Sequence, residues 1–404
     1  MTDAVPRRSF LQGGAAAVGG AALALGGRAA WDASTTAAPA PDAVGRATEP
    51  AAGPRQAGVA TAPQSFATWV ALDLLDGVDR AALVRLMRIW TDDIARLTAG
   101  RPGLADTEPE LALVPARLTV TVGFGPGVFR AAGLEAQRPA WLAPLPAFTV
   151  DRLEAAWSDG DLLLQVCADD EMAISHAVRL LTKGARTFVS VRWTQRGFRP
   201  SPGATPPGAT MRNLMGQLDG TVNPVVGVDD AVVWHGAEAA DWLVGGTSMV
   251  VRRIAMDLDT WDLVDRAGRE FTIGRRLDTG APLTGTHERD VPDLDAVDAL
   301  GLPVIDTAAH VRRARSTDPD QRILRRGYSY DDATAAGTST DSGLVFVSFQ
   351  RDVTAQYVPL QRRLDDLDLL NRWTTPIGSA VFAVPGGVLP GEFLAQRLLV
   401  GNGR

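Results

Sequence analysis

The feature that most restricts the fold is the element order between residues 66 and 193. Phe66–Leu74 alternates apolar and polar side chains as a strand does, and Asp79 to Leu97 follows with Leu83, Leu86, Met87, Trp90, Ile94 and Leu97 at the three-to-four spacing of an amphipathic helix. Leu118–Gly125 and Asp161–Ala168 read as two further strands, Glu171–Lys183 as a second helix and Thr187–Trp193 as a closing strand. Strand–helix–strand taken twice is the split β-α-β order of a ferredoxin-like domain, an α+β unit with an antiparallel sheet.

A looser version of the same order follows. Ser248–Met256 has a strand pattern, helical periodicity runs from Leu258 into Gly268, Gly343–Gln350 is the clearest strand of the chain, Val358–Leu370 is helical and Ala380–Val384 is a last strand. Two ferredoxin-like domains are therefore expected, over 59–225 and 226–404. No short sequence repeat accompanies them; the symmetry is of element order. Between Leu277 and Tyr330 regular periodicity is lost over a length that usually marks function or disorder.

The first 58 residues read differently. Pro6-Arg7-Arg8-Ser9-Phe10-Leu11-Gln12 matches the twin-arginine export pattern, and the Ala/Gly-rich run Gly13–Gly27 is too short and glycine-rich for a membrane span. Ala38-Pro39-Ala40 offers a cleavage site, and Asp32–Gly58, rich in Ala, Pro and Thr, reads as a disordered linker. Export in the folded state places the protein in the periplasm, the cell envelope or outside the cell.

Composition removes several functional classes. A net charge of -7 excludes nucleic acid as a routine partner, because phosphate binding needs a basic face. One cysteine, Cys167, cannot form an internal disulfide or a cysteine-rich metal site, and its apolar run Leu162–Ala168 makes it a buried structural thiol.

Chemistry then rests on few residues. Of four histidines, His176 reads as a partly buried helix residue, His235 as a hydrogen-bonded structural one, and His287 beside Glu288 as a weak metal pair. His310 precedes Val311-Arg312-Arg313-Ala314-Arg315, a cationic stretch suited to anionic groups, so a ligand role and a structural role both stay open. Asp219 sits between glycines in Gly216-Gln-Leu-Asp219-Gly-Thr-Val-Asn-Pro224, where a turn role competes with a chemical one, and Arg325 and Arg326 could equally be surface charges.

Taken together, these motifs resemble the dye-decolorising peroxidase family, in its exported, deferrochelatase-like branch. The resemblance covers the chain beyond about residue 60, and it is carried by Leu118-Thr-Val-Thr-Val-Gly-Phe-Gly-Pro-Gly127, Asp161-Leu-Leu-Leu-Gln-Val166, Gly216–Pro224, Ala309-His-Val-Arg312, Leu324-Arg-Arg-Gly-Tyr-Ser-Tyr330 and Phe349-Gln-Arg-Asp352 in the family's order. It implies two ferredoxin-like domains in a dimeric α+β barrel-like arrangement, with haem b held mainly by the C-terminal one. It further implies His310 as the proximal iron ligand, Asp219 as the distal acid/base and Arg325 as the distal arginine. Gly220, Thr221 and Val222 would line the haem, and Arg315, Ser316, Thr317 and Arg275 would lie near the propionates. Some relatives carry an Asn shortly after the arginine; Gly327 stands there in this chain.

The implied activity is reduction of hydrogen peroxide with oxidation of dyes, phenols or other aromatic reductants. Asp219 would take the proton from the inner peroxide oxygen and return it to the outer one, Arg325 would stabilise charge as the O–O bond breaks, and Asp368 would hold His310. Tyr328, Tyr330 and Trp373 are expected near the surface as electron relays. Two other functions stay open: iron release from haem with the porphyrin intact, and non-enzymatic haem carriage. An iron-uptake permease is the partner implied for the exported branch, and homo-oligomerisation is left open.

Overall fold

The structure is a computed structural model that describes residues 42–206, 208–333 and 340–401. The twin-arginine motif, the apolar run behind it and Ala38–Ala40 lie outside the described residues.

In the first half the elements are β1 (Phe66–Leu74), α1 (Arg80–Thr98), β2 (Thr119–Phe124), β3 (Leu162–Ala168), α2 (Glu171–Ala185) and β4 (Val189–Phe198). Their sheet order is β2-β3-β1-β4, antiparallel throughout, as the split β-α-β reading requires. Both helices begin on an aspartate whose carboxylate accepts from the backbone three residues on: Asp79 from Ala82 at 2.8 Å and Asp170 from Ala173 at 3.2 Å. The apolar stripe of α1 is buried as its spacing predicts, and Trp90 also donates to the Leu181 carbonyl at 3.1 Å.

In the second half come β5 (Thr247–Met256), α3 (Arg266–Ile273), α4 (His310–Arg313), β6 (Leu324–Arg325), β7 (Tyr328–Asp332), β8 (Asp341–Gln350), α5 (Val358–Leu367) and β9 (Thr374–Val384). Ordered as β9-β5-β8-β7, these strands repeat the first sheet's arrangement. The last strand begins earlier than its apolar core suggests, at Thr374. The expected helix over Val358–Leu370 ends at Leu367, because Asp368 turns away to cap a short 3-10 turn. Single bridges, Phe124 to Ala383 and Phe198 to Ser329, join the two sheets at both edges and close the ring into a barrel.

Residue parity separates two cores. Ala67, Trp69 and Ala71 of β1, Leu163 and Cys167 of β3, and Ala380, Phe382 and Val384 of β9 share one apolar cluster, inside the barrel. Their alternates Val70, Leu72, Leu164, Val166, Val381 and Ala383 pack outside it, in the cluster that contains the stripes of α1 and α2. Strands covered on both faces read as continuous apolar runs, and Cys167 is a fully buried member of the inner set.

The expected linker Asp32–Gly58 is corrected over its described part. Ala52 bridges Val388, and the buried Gln56 side chain donates to the carbonyls of Val122 and Pro385 and accepts from Val122 N at 2.8 Å. An amide that meets three backbone groups straps this stretch to the barrel, which its Ala/Pro composition conceals.

Candidate active site

β6 and β7 keep one register against β8, Leu324 opposite Phe349 and Tyr328 opposite Val345, and Arg326 N bonds Val347 O between them at 2.8 Å. They therefore act as one interrupted strand. Alternation along it sends Leu324, Tyr328 and Tyr330 into the barrel, with Arg326 buried among N-terminal groups, where it donates to Thr61 O and Gln64 Oε1. Arg325 takes the opposite face. Parity thus separates two neighbouring arginines that local residue pattern, without the family resemblance, leaves equivalent.

On that outer face Arg325 NH1 meets Asp219 Oδ1 at 3.0 Å. Asp219 arrives on a hairpin in which its N–H bonds Met211 O at 2.8 Å and Arg212 bridges Leu218. Gly216 and Gly220 stand in the left-handed region, at φ 81° and 116°, which explains the glycines on either side. Asn223 then pairs with the backbone of Arg325 in both directions, Nδ2 to O at 2.8 Å and N to Oδ1 at 3.0 Å. Asn-Pro is ordinary turn chemistry, so this reach across the chain has no local signal in the sequence.

His310 opens the short helix α4, and its Nδ1 lies 2.6 Å from Asp368 Oδ2. Asp368 is held in turn by Leu370 N, and Leu369 N bonds Ala308 O, so two separate segments fix the pair. Burial opposes protonation of the ring, but Asp368, by charge and hydrogen bond, outweighs it and raises the His310 pKa. Asp219 and Arg325 also act on this ring electrostatically, which brings all three expected residues to one region. The imidazole is half-buried, with 30% of its side-chain surface accessible.

The remaining expected residues are distributed as follows. Arg275 is buried, gives NH1 to the carbonyls of Gly280 and Glu288, and has its pKa lowered by burial and then, against the pull of Glu288, by Arg325 and Arg315. Arg315 is exposed and takes part in none of the ion pairs found among the described residues. Ser316 Oγ donates to Gln321 Oε1 and accepts from Asp318 N, which makes it a turn residue. Thr317 is exposed, Val222 is exposed beside the hairpin, and Thr221 Oγ1 donates to Glu288 Oε1 at 2.9 Å.

Several other readings change. His176 is buried and paired with Asp106 at 2.9 Å instead of lying part-way to the surface. The His235 ring stacks on Trp141, its Nε2 has no partner, and burial lowers its pKa. His287 is exposed and turns to Asp290 while Glu288 turns to the threonines, and no metal-binding group of three or more such side chains occurs among the described residues. Tyr328 and Tyr330 are buried, not near the surface, and burial raises both phenols. Trp373 is half-buried, edge-on to Trp261 with ring centroids 5.1 Å apart.

The donor set suits the haem implied by the resemblance. An imidazole with one nitrogen tied to a carboxylate presents Nε2 as a basic, oriented ligand. Arg275, Arg315 and Arg325 crowd positive charge where anionic carboxylates would be welcome, and the expected distal pair is preformed.

Comparisons with known proteins bear on the same residues. The model of the N-terminal region of Dyp-type peroxidases matches residues 56–199, and that of the C-terminal region matches 210–389. The chain is 40% identical over 421 residues to the dye-decolorizing peroxidase of Thermobifida fusca, covering 98% of this chain and 97% of that protein. Identity is 36% over 419 residues to the deferrochelatase of Yersinia pestis, covering 98% and 95%. Among solved structures, a DyP-type peroxidase from Cellulomonas bogoriensis superposes with a TM-score of 0.87 at 61% identity, covering 88% of this chain and 99% of that one.

Proposed function

The chain belongs to the Dyp-type peroxidase family, and on that premise we propose that His310, Asp219 and Arg325 are the residues with which it works as a haem peroxidase. The observation that carries the assignment is the Asp219–Arg325 pair, held at 3.0 Å within the electrostatic reach of His310.

His310 Nε2 would hold the iron of haem b, with Asp368 fixing the ring, and Arg275 and Arg315 would balance the propionates; the C-terminal domain thus supplies most of the pocket. Bound haem supplies a metal that takes up hydrogen peroxide and passes on oxidising equivalents. Asp219 has Oδ1 engaged by Arg325, which leaves Oδ2 to accept the peroxide proton and return it to the departing oxygen. The Arg325 guanidinium, carried on a backbone that Asn223 pins at both N and O and paired with Asp219, is placed to neutralise charge that grows on that oxygen. Dyes and phenols are the reductants, and Trp373, with Trp261 against it, is favoured as a relay over the buried tyrosines.

Asp219→Asn in haem-loaded protein tests this: the peroxide reaction should slow by about 10²–10⁴-fold while the haem spectrum of the resting protein is kept. A variant as fast as the wild type would remove Asp219 from the role.

The 36% identity to a deferrochelatase supports a second reading, with haem as substrate and iron released from an intact porphyrin. Metal-free porphyrin formed under reducing conditions without peroxide would distinguish it. Haem carriage alone predicts that Asp219→Asn and Arg325→Leu change nothing but local charge. The Arg7-Arg8 motif supports export to the periplasm or beyond, an iron-uptake permease as partner rests on the resemblance to the exported branch alone, and no helix among the described residues is long and apolar enough to cross a membrane.

A further inference from the structure

We propose that Glu288 is a positioning residue that closes the hairpin carrying Asp219, an inference that rests on the role given to Asp219 above. The hairpin runs from Thr210 to Thr221, and its ladder ends at the bond from Asp219 N to Met211 O. One residue beyond Met211 on one leg stands Thr210, and two beyond Asp219 on the other stands Thr221. Both hydroxyls donate to the same oxygen, Glu288 Oε1. A carboxylate on a distant loop therefore adds a rung where the backbone supplies none.

That loop is itself anchored. Arg275, 8% exposed, donates NH1 to the carbonyls of Gly280 at 2.7 Å and Glu288 at 2.8 Å. Gly280 has φ +69°, and a Cβ there would lie 2.3 Å from Leu218 Cδ1 and 3.3 Å from Glu288 Cγ, so the loop is pressed against the residue preceding Asp219. The rung matters because the glycine at 220 leaves the chain free just after Asp219. A proton acceptor displaced by about 1 Å loses on the order of a hundredfold in effectiveness.

Cyanide binding to the ferric haem-loaded protein reads the position of Asp219 without turnover, since hydrogen cyanide must give up a proton as it binds. Asp219→Asn sets the scale, with an expected slowing of about a hundredfold or more. Glu288→Ala and Thr221→Val should both slow binding by about tenfold or more, and Glu288→Gln, which keeps an accepting oxygen, should stay close to the wild type. Thr221→Val removes one donor without changing side-chain volume and carries the test if Glu288→Ala fails to hold haem. Wild-type rates in both Glu288→Ala and Thr221→Val beside a slow Asp219→Asn would overturn the proposal alone. A Glu288→Gln as slow as Glu288→Ala would overturn the hydrogen-bonded rung. A wild-type rate in Asp219→Asn would instead overturn the role of Asp219.

Discussion

The two halves of the barrel share a strand order, the fourth, first, third and second strands side by side, and differ in what covers the outer face of each sheet. Over the N-terminal sheet lie two helices of 19 and 15 residues, whose stripes join one large apolar cluster with Val70, Leu72, Leu164 and Val166. Over the C-terminal sheet, the crossover from β5 to β7 contains no helix longer than eight residues; Val250, Val353, Tyr357, Val358 and Val381 still join the large cluster, while the side under that crossover has only the small cluster of Met215, Met256, Trp261 and Leu344 with their neighbours. A face filled by apolar side chains has no room for chemistry. The other face is crossed by the loops that carry His310, Arg275 and Glu288, where the proposed haem site lies. On the proposed assignment, one half is built for cohesion and the other for the haem site.

If that division is right, lesions in the two halves should separate. The largest effect is expected for His310→Ala, which should abolish the Soret band of protein reconstituted with haem and leave the far-ultraviolet circular dichroism of the barrel intact. Retained haem with an unchanged spectrum would place the ligand elsewhere. Trp69→Ala, in the barrel interior at 0% exposure, should do the reverse. It should lower unfolding free energy by about 3–5 kcal/mol, read from urea titration of the apoprotein, while any molecule still folded binds haem. A cost under about 1 kcal/mol would mean that the interior is not the close-packed core its parity suggests.

The same contrast accounts for what could be read from sequence. β1, α1, β3 and α2 were legible because each puts a regular apolar period against a continuous core, so period and burial agree. The region 277–330 has no period because its path follows pairwise bonds between distant residues: Arg275 to Glu288 O, Thr221 to Glu288, Asn223 to Arg325, His310 to Asp368. Such contacts leave no local pattern. His310, Asp219 and Arg325 are singled out in the sequence only by the family resemblance, and Glu288 reads there as a weak metal partner of His287, whereas its carboxylate accepts from the two threonines of the hairpin. Gln56 was hidden by a linker-like composition, although its amide is fully used.

A smaller effect should appear in the pH dependence of the apoprotein. Folding raises the His310 pKa, so the folded state holds this proton more tightly than the unfolded chain. The stabilisation from the His310–Asp368 pair is therefore fully present below the unfolded value, about 6.5, and is lost as pH rises through the higher folded value. Asp368→Asn should flatten that fall in urea midpoint; an unchanged slope would mean that another group titrates. The effect belongs to the pocket half, since the pair joins α4 to the turn before β9.

The smallest prediction tests the other side of the division. Asp79 caps α1 by accepting from Ala82 N, and its loss should cost about 1 kcal/mol, the ordinary worth of an N-cap. α4 has no side-chain cap at Ala309, so His310 depends on Asp368 and the Leu369–Ala308 backbone bond for its orientation. Asp79→Ala should therefore move the unfolding midpoint and leave haem affinity and the cyanide rate alone, because α1 reaches the pocket only through the barrel wall. A change in cyanide rate from this variant would show that the outer helices are coupled to the distal hairpin, and the two faces would then have to be treated as one cooperative unit.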